Sequence, residues 1–140
     1  MKTISLTKRV VRAKPDGALN VWIMAVLVAS ASAVQAAPIG GQIVAGAGSI
    51  SQSGSTTTIH QSSSNLSLNW QGFNIAPQES VNFLQPSTSA VAVNRIFDTN
   101  GTQILGQINA NGQVYLINPN GILFGQGAQV NVGGLVASTL

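Results

Sequence analysis

An all-β fold, with stacked parallel coils preferred over a sandwich, is what this sequence predicts. Three observations point there. From Ala37 onward the chain shows short apolar or alternating runs and no convincing amphipathic helix. Gly, Asn, Ser and Pro punctuate these runs densely, and fourteen of the 15 glycines follow residue 36. Charged residues make up only 6% of the chain. Low charge suits stacked coils, because like charges in register would sit roughly 4.8 Å apart.

The strands can be read in order. In the Ser/Thr-rich stretch "SGSTTTIHQSSSN", Thr57 and Ile59 alternate with Thr58 and His60, which predicts a strand ending in a polar turn. "NLSLNW" places Leu66, Leu68 and Trp70 on one face and Asn65, Ser67 and Asn69 on the other. "SVNFLQ" groups Val81 with Phe83, "AVAVN" groups Val91 with Val93, and "QVYLIN" groups Val114 with Leu116. "AQVNVGG" groups Val130 with Val132. Asn-Gly pairs begin at residues 100, 111 and 120, so two segments make roughly 20 residues, a reasonable coil length. Such pairs supply the positive φ angles of tight turns. A sandwich would want hairpins and a one-sided core. The corners rich in asparagine (Asn109, Asn111, Asn118, Asn120) suit coils with amide ladders better.

The formal net charge of +3 suggests a binder of polyanions until the charges are located. Lys2, Lys8, Arg9, Arg12 and Lys14 all lie near the N-terminus, ahead of the apolar run "ALNVWIMAVLV". Small residues follow in "ASASAVQAAP". This is the pattern of a signal peptide over residues 1–36, cut between Ala36 and Ala37, with Val34 and Ala36 as the small cleavage-site residues and Ala33 as a second candidate for the cut. The apolar run falls short of the roughly 20 residues that span a bilayer. After Ala36 the only cationic side chain is Arg95, and Glu79 and Asp98 are the only carboxylates. That chain presents no cationic surface to phosphates, so nucleic acid is not an expected partner. There is no cysteine, although export would permit disulfides.

Chemistry is sparse. His60 is the only histidine and has no ligand set, so no metal and no cofactor are expected. Glycoside hydrolysis usually needs two carboxylates flanking one bond. Glu79 and Asp98 are the only pair available, and an ion pair of Arg95 with one of them is the expectation. No phosphate loop or zinc spacing occurs. The sequence predicts no catalytic residues.

The residues that say most are "NWQGFNIAPQESVNFLQPSTSAVAVNRI" and "ILGQINANGQVYLINPNGILFGQGAQVNVGGLVAST". In order they carry Trp70-Gln71-x-Phe73-Asn74-Ile75, Gln85-Pro86-Ser87, Asn94-Arg95, Ala110-Asn111-Gly112 and the motif at residues 118–125. This series resembles the N-terminal two-partner-secretion (TPS) domain of filamentous-haemagglutinin and high-molecular-weight-adhesin exoproteins of Gram-negative bacteria. The resemblance covers about residues 41–140. It implies a right-handed parallel β-helix of the pectin-lyase-like kind. It also implies export through the inner-membrane translocon. Recognition by the periplasmic domains of an outer-membrane β-barrel transporter follows, with passage to the cell surface. The domain would target secretion and nucleate folding. Any host-surface ligand would belong to downstream regions.

The sequence lacks the Asn-Pro-Asn-Leu motif of one branch, which places it nearer the adhesin-like branch. Its leader is shorter than the extended leaders of many members. It stops at "GGLVASTL" where members continue, so a partial TPS (haemagglutination-activity) domain over residues 37–140 is expected, from a truncated gene, partial sequence or pseudogene. Asn118, Pro119, Asn120, Gly121 and Ile122 are the candidate contacts for the transporter. Asn109, Asn111, Gly112, Asn94 and Arg95 are candidate corner or structural residues, and Trp70 and Phe73 are expected in the core. A fibre-forming surface protein is one alternative, given the Gln/Asn/Ser/Gly composition. A carbohydrate-active β-helix enzyme is the weaker one.

Overall fold

The computed structural model describes residues 8–11, 23–26 and 36–140. Most of the expected leader lies outside the described residues; within it, β1 (Lys8–Val11) pairs antiparallel with β2 (Ile23–Val26). The remainder forms a separate unit and is built from strands, with no helix among the described residues.

The coils start at β5 (Thr56–Gln61) and β6 (Asn65–Trp70), followed by an isolated bridge at Ile75. The second coil contains β7 (Ser80–Leu84), β8 (Val91–Ile96) and β9 (Thr102–Ile104). The third contains β10 (Gln107–Ala110), β11 (Gln113–Ile117) and β12 (Ile122–Phe124). β13 (Gln129–Asn131) and β14 (Gly134–Ser138) begin a fourth. Each strand pairs in parallel with its counterpart one coil away: β5–β7–β10–β13 on one face, β6–β8–β11–β14 on the next. Ile75, β9 and β12 make the third. The result is a β-solenoid of about four turns.

Along the first face, paired residues are 24, 27 and 22 positions apart, as at Thr56–Ser80, Asn82–Asn109 and Asn109–Asn131. The coil is therefore somewhat longer than the roughly 20 residues expected, and uneven from turn to turn.

Parallel pairing puts inward side chains directly over one another, so the core is a set of ladders. Leu66, Ala92 and Val114 stack in one column, and Ile59 and Phe83 in another. Trp70 and Phe73 are buried, with ring centroids 5.2 Å apart at 75°, an edge-to-face pair. The expected inward sets Leu66/Leu68/Trp70, Val81/Phe83 and Val114/Leu116 are all buried, and Thr57 and Ile59 face inward together. Val130 and Val132 are half-buried.

One strand has the opposite parity. In β8 it is Ala92, Asn94 and Ile96 that face the core, while Val91 and Val93 are only half-buried. Asn94 is drawn inward because it has partners there. Its Oδ1 accepts the Trp70 indole N–H at 2.9 Å, and its Nδ2 donates to the Tyr115 carbonyl at 3.2 Å. A satisfied buried amide outweighs the preference of two valines for the interior.

The N-terminal end was not anticipated. β3 (Gln42–Ala45) pairs antiparallel with β6, and β4 (Gly48–Ser53) pairs antiparallel with β5. Ile39 bridges antiparallel to Gly72. From Ile39 to Ser53 the chain thus traces the first coil backwards and caps it. Ser53 and Thr56 are paired across the two residues Gly54-Ser55. Gly54 has φ +60° and Ser55 stays at negative φ, which fits a II′ hairpin turn. Gly41 lies flat on the Trp70 ring; a Cβ there would overlap the indole.

Candidate functional site

The corner at residues 118–121 is a β-turn whose chemistry is local. Pro119 holds the second position with its fixed φ, and Gly121 at the fourth has φ +106°. The Gly121 N–H donates to the Asn118 carbonyl at 2.9 Å. The Asn118 side chain closes an inner ring by accepting the Asn120 N–H at 2.8 Å. Its Nδ2 turns the other way, donating to Thr102 Oγ1 at 2.9 Å and the Asn100 carbonyl at 3.2 Å. Asn118 and Thr102 are consequently buried.

The same device occurs one coil earlier in Asp98-Thr99-Asn100-Gly101. There Asp98 Oδ1 accepts the Asn100 N–H at 3.0 Å. Asn120 Nδ2 joins the two corners by donating to the Asp98 carbonyl at 2.8 Å. An Asx residue stands two places before all three Asn-Gly pairs, and the device forms at two of them, Asp98 and Asn118.

The candidate contact residues therefore divide. Asn118 lies inside the coil with both ends of its amide engaged. Pro119 and Asn120 are exposed, and Gly121 and Ile122 are half-buried. Beside them runs a shallow groove lined by Asn100, Gly101, Asn120, Gly121, Ile122 and Leu123. Leu123 is exposed, as is Phe97 at the corner of the coil before.

Other expectations need revision. Asn109 is not at a corner. It lies within β10, where Asn131 Nδ2 donates to Asn109 Oδ1 at 3.0 Å and Asn109 Nδ2 to Asn82 Oδ1 at 2.8 Å. Asn111 does occupy a corner. Its amide imitates a strand, accepting the Gln85 N–H at 2.8 Å and donating to the Gln85 carbonyl at 2.7 Å. Of the three Asn-Gly glycines, only Gly121 has positive φ. Gly112 is needed for space instead: a Cβ would press on the Ala90 carbonyl and Gln85 Oε1.

Gln61 was missed, and Gln85 entered only as part of the Gln85-Pro86-Ser87 motif. They sit buried at the same corner of successive coils, with Gln85 Nε2 donating to Gln61 Oε1 at 3.1 Å and Gly112 N–H donating to Gln85 Oε1 at 2.8 Å. Their signal was position, since each ends or follows a strand one coil apart.

The expected ion pair of Arg95 is absent among the described residues. Arg95 is exposed, at a position paired with Asn69 and Ile117. Asp98 accepts its own turn's N–H, and Glu79 is buried against backbone amides of Ala37 and Ala76, each at 2.8 Å. The two carboxylates thus hold separate loops. His60 is exposed, and no cluster of three potential metal ligands occurs among the described residues.

The sequence model of the TPS secretion domain matches residues 34–140. A heme/hemopexin-binding protein of Haemophilus influenzae strain Rd is 39% identical over 125 residues, covering 86% of this chain and 14% of the relative. Another heme/hemopexin-binding protein of Haemophilus influenzae is 48% identical over 82 residues, 59% of this chain and 9% of the relative. The chain thus matches only a small part of the length of these curated relatives. The crystal structure of the HMW1 secretion domain from Haemophilus influenzae aligns with a TM-score of 0.70 and 39% identity, covering 74% of this chain and 27% of that chain. With its stacked coils and the match running from residue 34 to residue 140, this chain belongs to the TPS secretion domain family.

Proposed function

We propose that residues 37–140 act as the secretion-targeting module of a large exoprotein, read in the periplasm by a dedicated outer-membrane β-barrel transporter. The observation that carries this reading is the likeness to a solved secretion domain at 39% identity across 74% of the chain. The basic and apolar leader supports delivery to the periplasm through the translocon, with cleavage after Ala36. Secretion to the cell surface or medium follows from the same reading.

The chain's role on this reading is non-catalytic, and its chemistry fits. Each carboxylate is committed to a loop, and the polar groups serve backbone corners. Parallel pairing is non-local and intrinsically slow. A chain still open in the periplasm offers extended segments that can add to a sheet edge of the transporter's periplasmic domains. Coils then form one on another as chain emerges, each strand templating the next. The recognition surface is the exposed part of the corner, Pro119 and Asn120 with the groove toward Ile122. Asn118 shapes that surface from beneath.

Secretion into the medium, measured with and without the cognate transporter, tests the reading. It should require the transporter. A Pro119→Ala, Asn120→Ala double variant should lower export by more than its fall in unfolding midpoint accounts for. Transporter-independent release would sink the functional reading, and undiminished export of the double variant would remove the corner from it.

A further inference from the structure

Glu79 is 2% exposed, yet its carboxyl group is only half satisfied. Oε1 accepts the backbone N–H of Ala76 and that of Ala37, both at 2.8 Å. Oε2 is buried and has no partner among the described residues. A carboxylate can accept about four hydrogen bonds, and an orphaned buried oxygen is unfavourable. One amide N–H cannot serve both oxygens.

Ala37 is the residue that follows the proposed cleavage point. We propose that the processed N-terminus is the partner Glu79 is built for: the α-ammonium of Ala37 forms a buried ion pair with the Glu79 carboxylate, and this pair locks the reversed capping turn. The inference rests on cleavage after Ala36. In that step water adds to the Ala36 carbonyl carbon and the C–N bond to Ala37 breaks. Ala36 leaves as a carboxylate and the Ala37 nitrogen becomes an ammonium. A single N–H donor is replaced by three donors and a positive charge, at a nitrogen already 2.8 Å from Oε1.

The neighbouring residues aim that nitrogen. Pro38 follows Ala37 and is buried, and a residue before proline is held to extended geometry. The Pro38 carbonyl accepts Gln52 Nε2 at 3.3 Å, which ties the start of the capping turn to β4. The Ile39 N–H donates to the Gly72 carbonyl at 2.9 Å. Glu79 itself is anchored, its N–H donating to the Ala76 carbonyl at 2.9 Å. Arg95, the only cationic side chain after Ala36, is exposed and does not bond Glu79. An unprocessed chain supplies only the amide. Removal of the leader therefore stabilises the cap, and completion of the first coil is coupled to processing.

The sequence after Ala36 contains no lysine, so within these residues the α-amine is the only amine. The exported chain is purified, and intact mass and N-terminal sequencing identify its first residue. Its N-terminal peptide is then followed by mass spectrometry during acetylation with an N-hydroxysuccinimide ester. Acetylation of the native chain should be slower by about tenfold or more than in urea, the ratio set by 1.4 kcal/mol of protection. Glu79→Gln should lose most of that protection. Acetylating the unfolded chain should lower the urea midpoint of wild type but not of Glu79→Gln, the signature of a coupled pair. A native α-amine that reacts at the unfolded rate would overturn the proposal, as would equal acetylation effects in both proteins. If Glu79→Gln does not fold, the wild-type comparisons decide alone. A chain starting elsewhere than Ala37 would remove the cleavage reading and the proposal together; a chain starting at Ala37 with a freely reactive amine would remove only the proposal.

Discussion

The two ends of the solenoid are built differently. At the first coil the chain runs backwards, so β3 and β4 lie antiparallel over β6 and β5. At the far end β12, β13 and β14 lie parallel to the strands beneath them. The capped end is dry: Ile59, Leu66 and Leu68 are buried, with Ile43 and Ile50 packed over the core. Beyond Asn118 no described residue is fully buried, and Leu123, Phe124 and Val136 are exposed. An antiparallel cap terminates a stack, because the reversed strand no longer presents the slanted pattern that the next parallel coil needs. A parallel edge repeats that pattern and invites another strand. The first coil is therefore closed by the reversed chain, whereas β13 and β14 keep the parallel pattern of the coils beneath them.

The largest effect should come from removing the residue that joins cap to core. Trp70→Ala takes away the ring under Gly41, the edge-to-face contact with Phe73 and the partner of Asn94. A loss of about 3–5 kcal/mol is expected, read by urea unfolding. A fall below 1 kcal/mol, within the range of ordinary surface changes, would mean that the cap does not depend on the indole.

Gly41→Val tests the cap from the other side. The added side chain meets the Trp70 ring and should cost about 1–3 kcal/mol by overpacking. Hydrogen exchange should show β3 and β4 opening while β8 and β11 stay protected. Uniform loss across all coils would show that cap and stack unfold as one unit.

Asn118→Ala should cost about 1–3 kcal/mol, because the Thr102 hydroxyl and Asn100 carbonyl lose their buried donor. Export should fall in step with stability. That separates it from exchanges at Pro119 and Asn120, for which export should fall further than stability.

The smallest thermodynamic effect belongs to the open end. Val136→Lys, at an exposed position of β14, should change the unfolding free energy by no more than about 0.5 kcal/mol. It should nonetheless reduce self-association of residues 37–140 prepared alone, because charge on an edge strand opposes strand addition. Sedimentation of the two proteins checks this. Equal association would place the contact elsewhere than β14.

Much of the stack was legible as sequence. "NLSLNW", "SVNFL" and "QVYLI" declare their inward faces by alternation, since a strand has period two whatever lies beneath it. The corner at residues 118–121 was equally readable, because Pro119 and Gly121 act through their own backbone angles. β8 was ambiguous for the opposite reason. Alternation permits either Val91/Val93 or Ala92/Asn94 inside, and the choice depends on Trp70 and Tyr115, residues of the coils on either side. The corner role of Gln61 and Gln85 was not legible because a buried amide looks like any polar residue until its partners are in place.

Local chemistry written along the chain thus determined most of the strands and turns, because each depends on neighbours in sequence, and the ordered series of family-like motifs pointed to the stacked class of fold. Only the tertiary structure decided what depends on residues a coil or more away. It reversed the chain over the first coil, turned Asn94 inward, placed Asn118 beneath its corner rather than on it, and brought Glu79 to the amide of Ala37, 42 residues earlier. The first outcome follows from backbone pairing and packing over the core and the others from the pairing of buried polar groups, and in each case the partners need not be close in sequence.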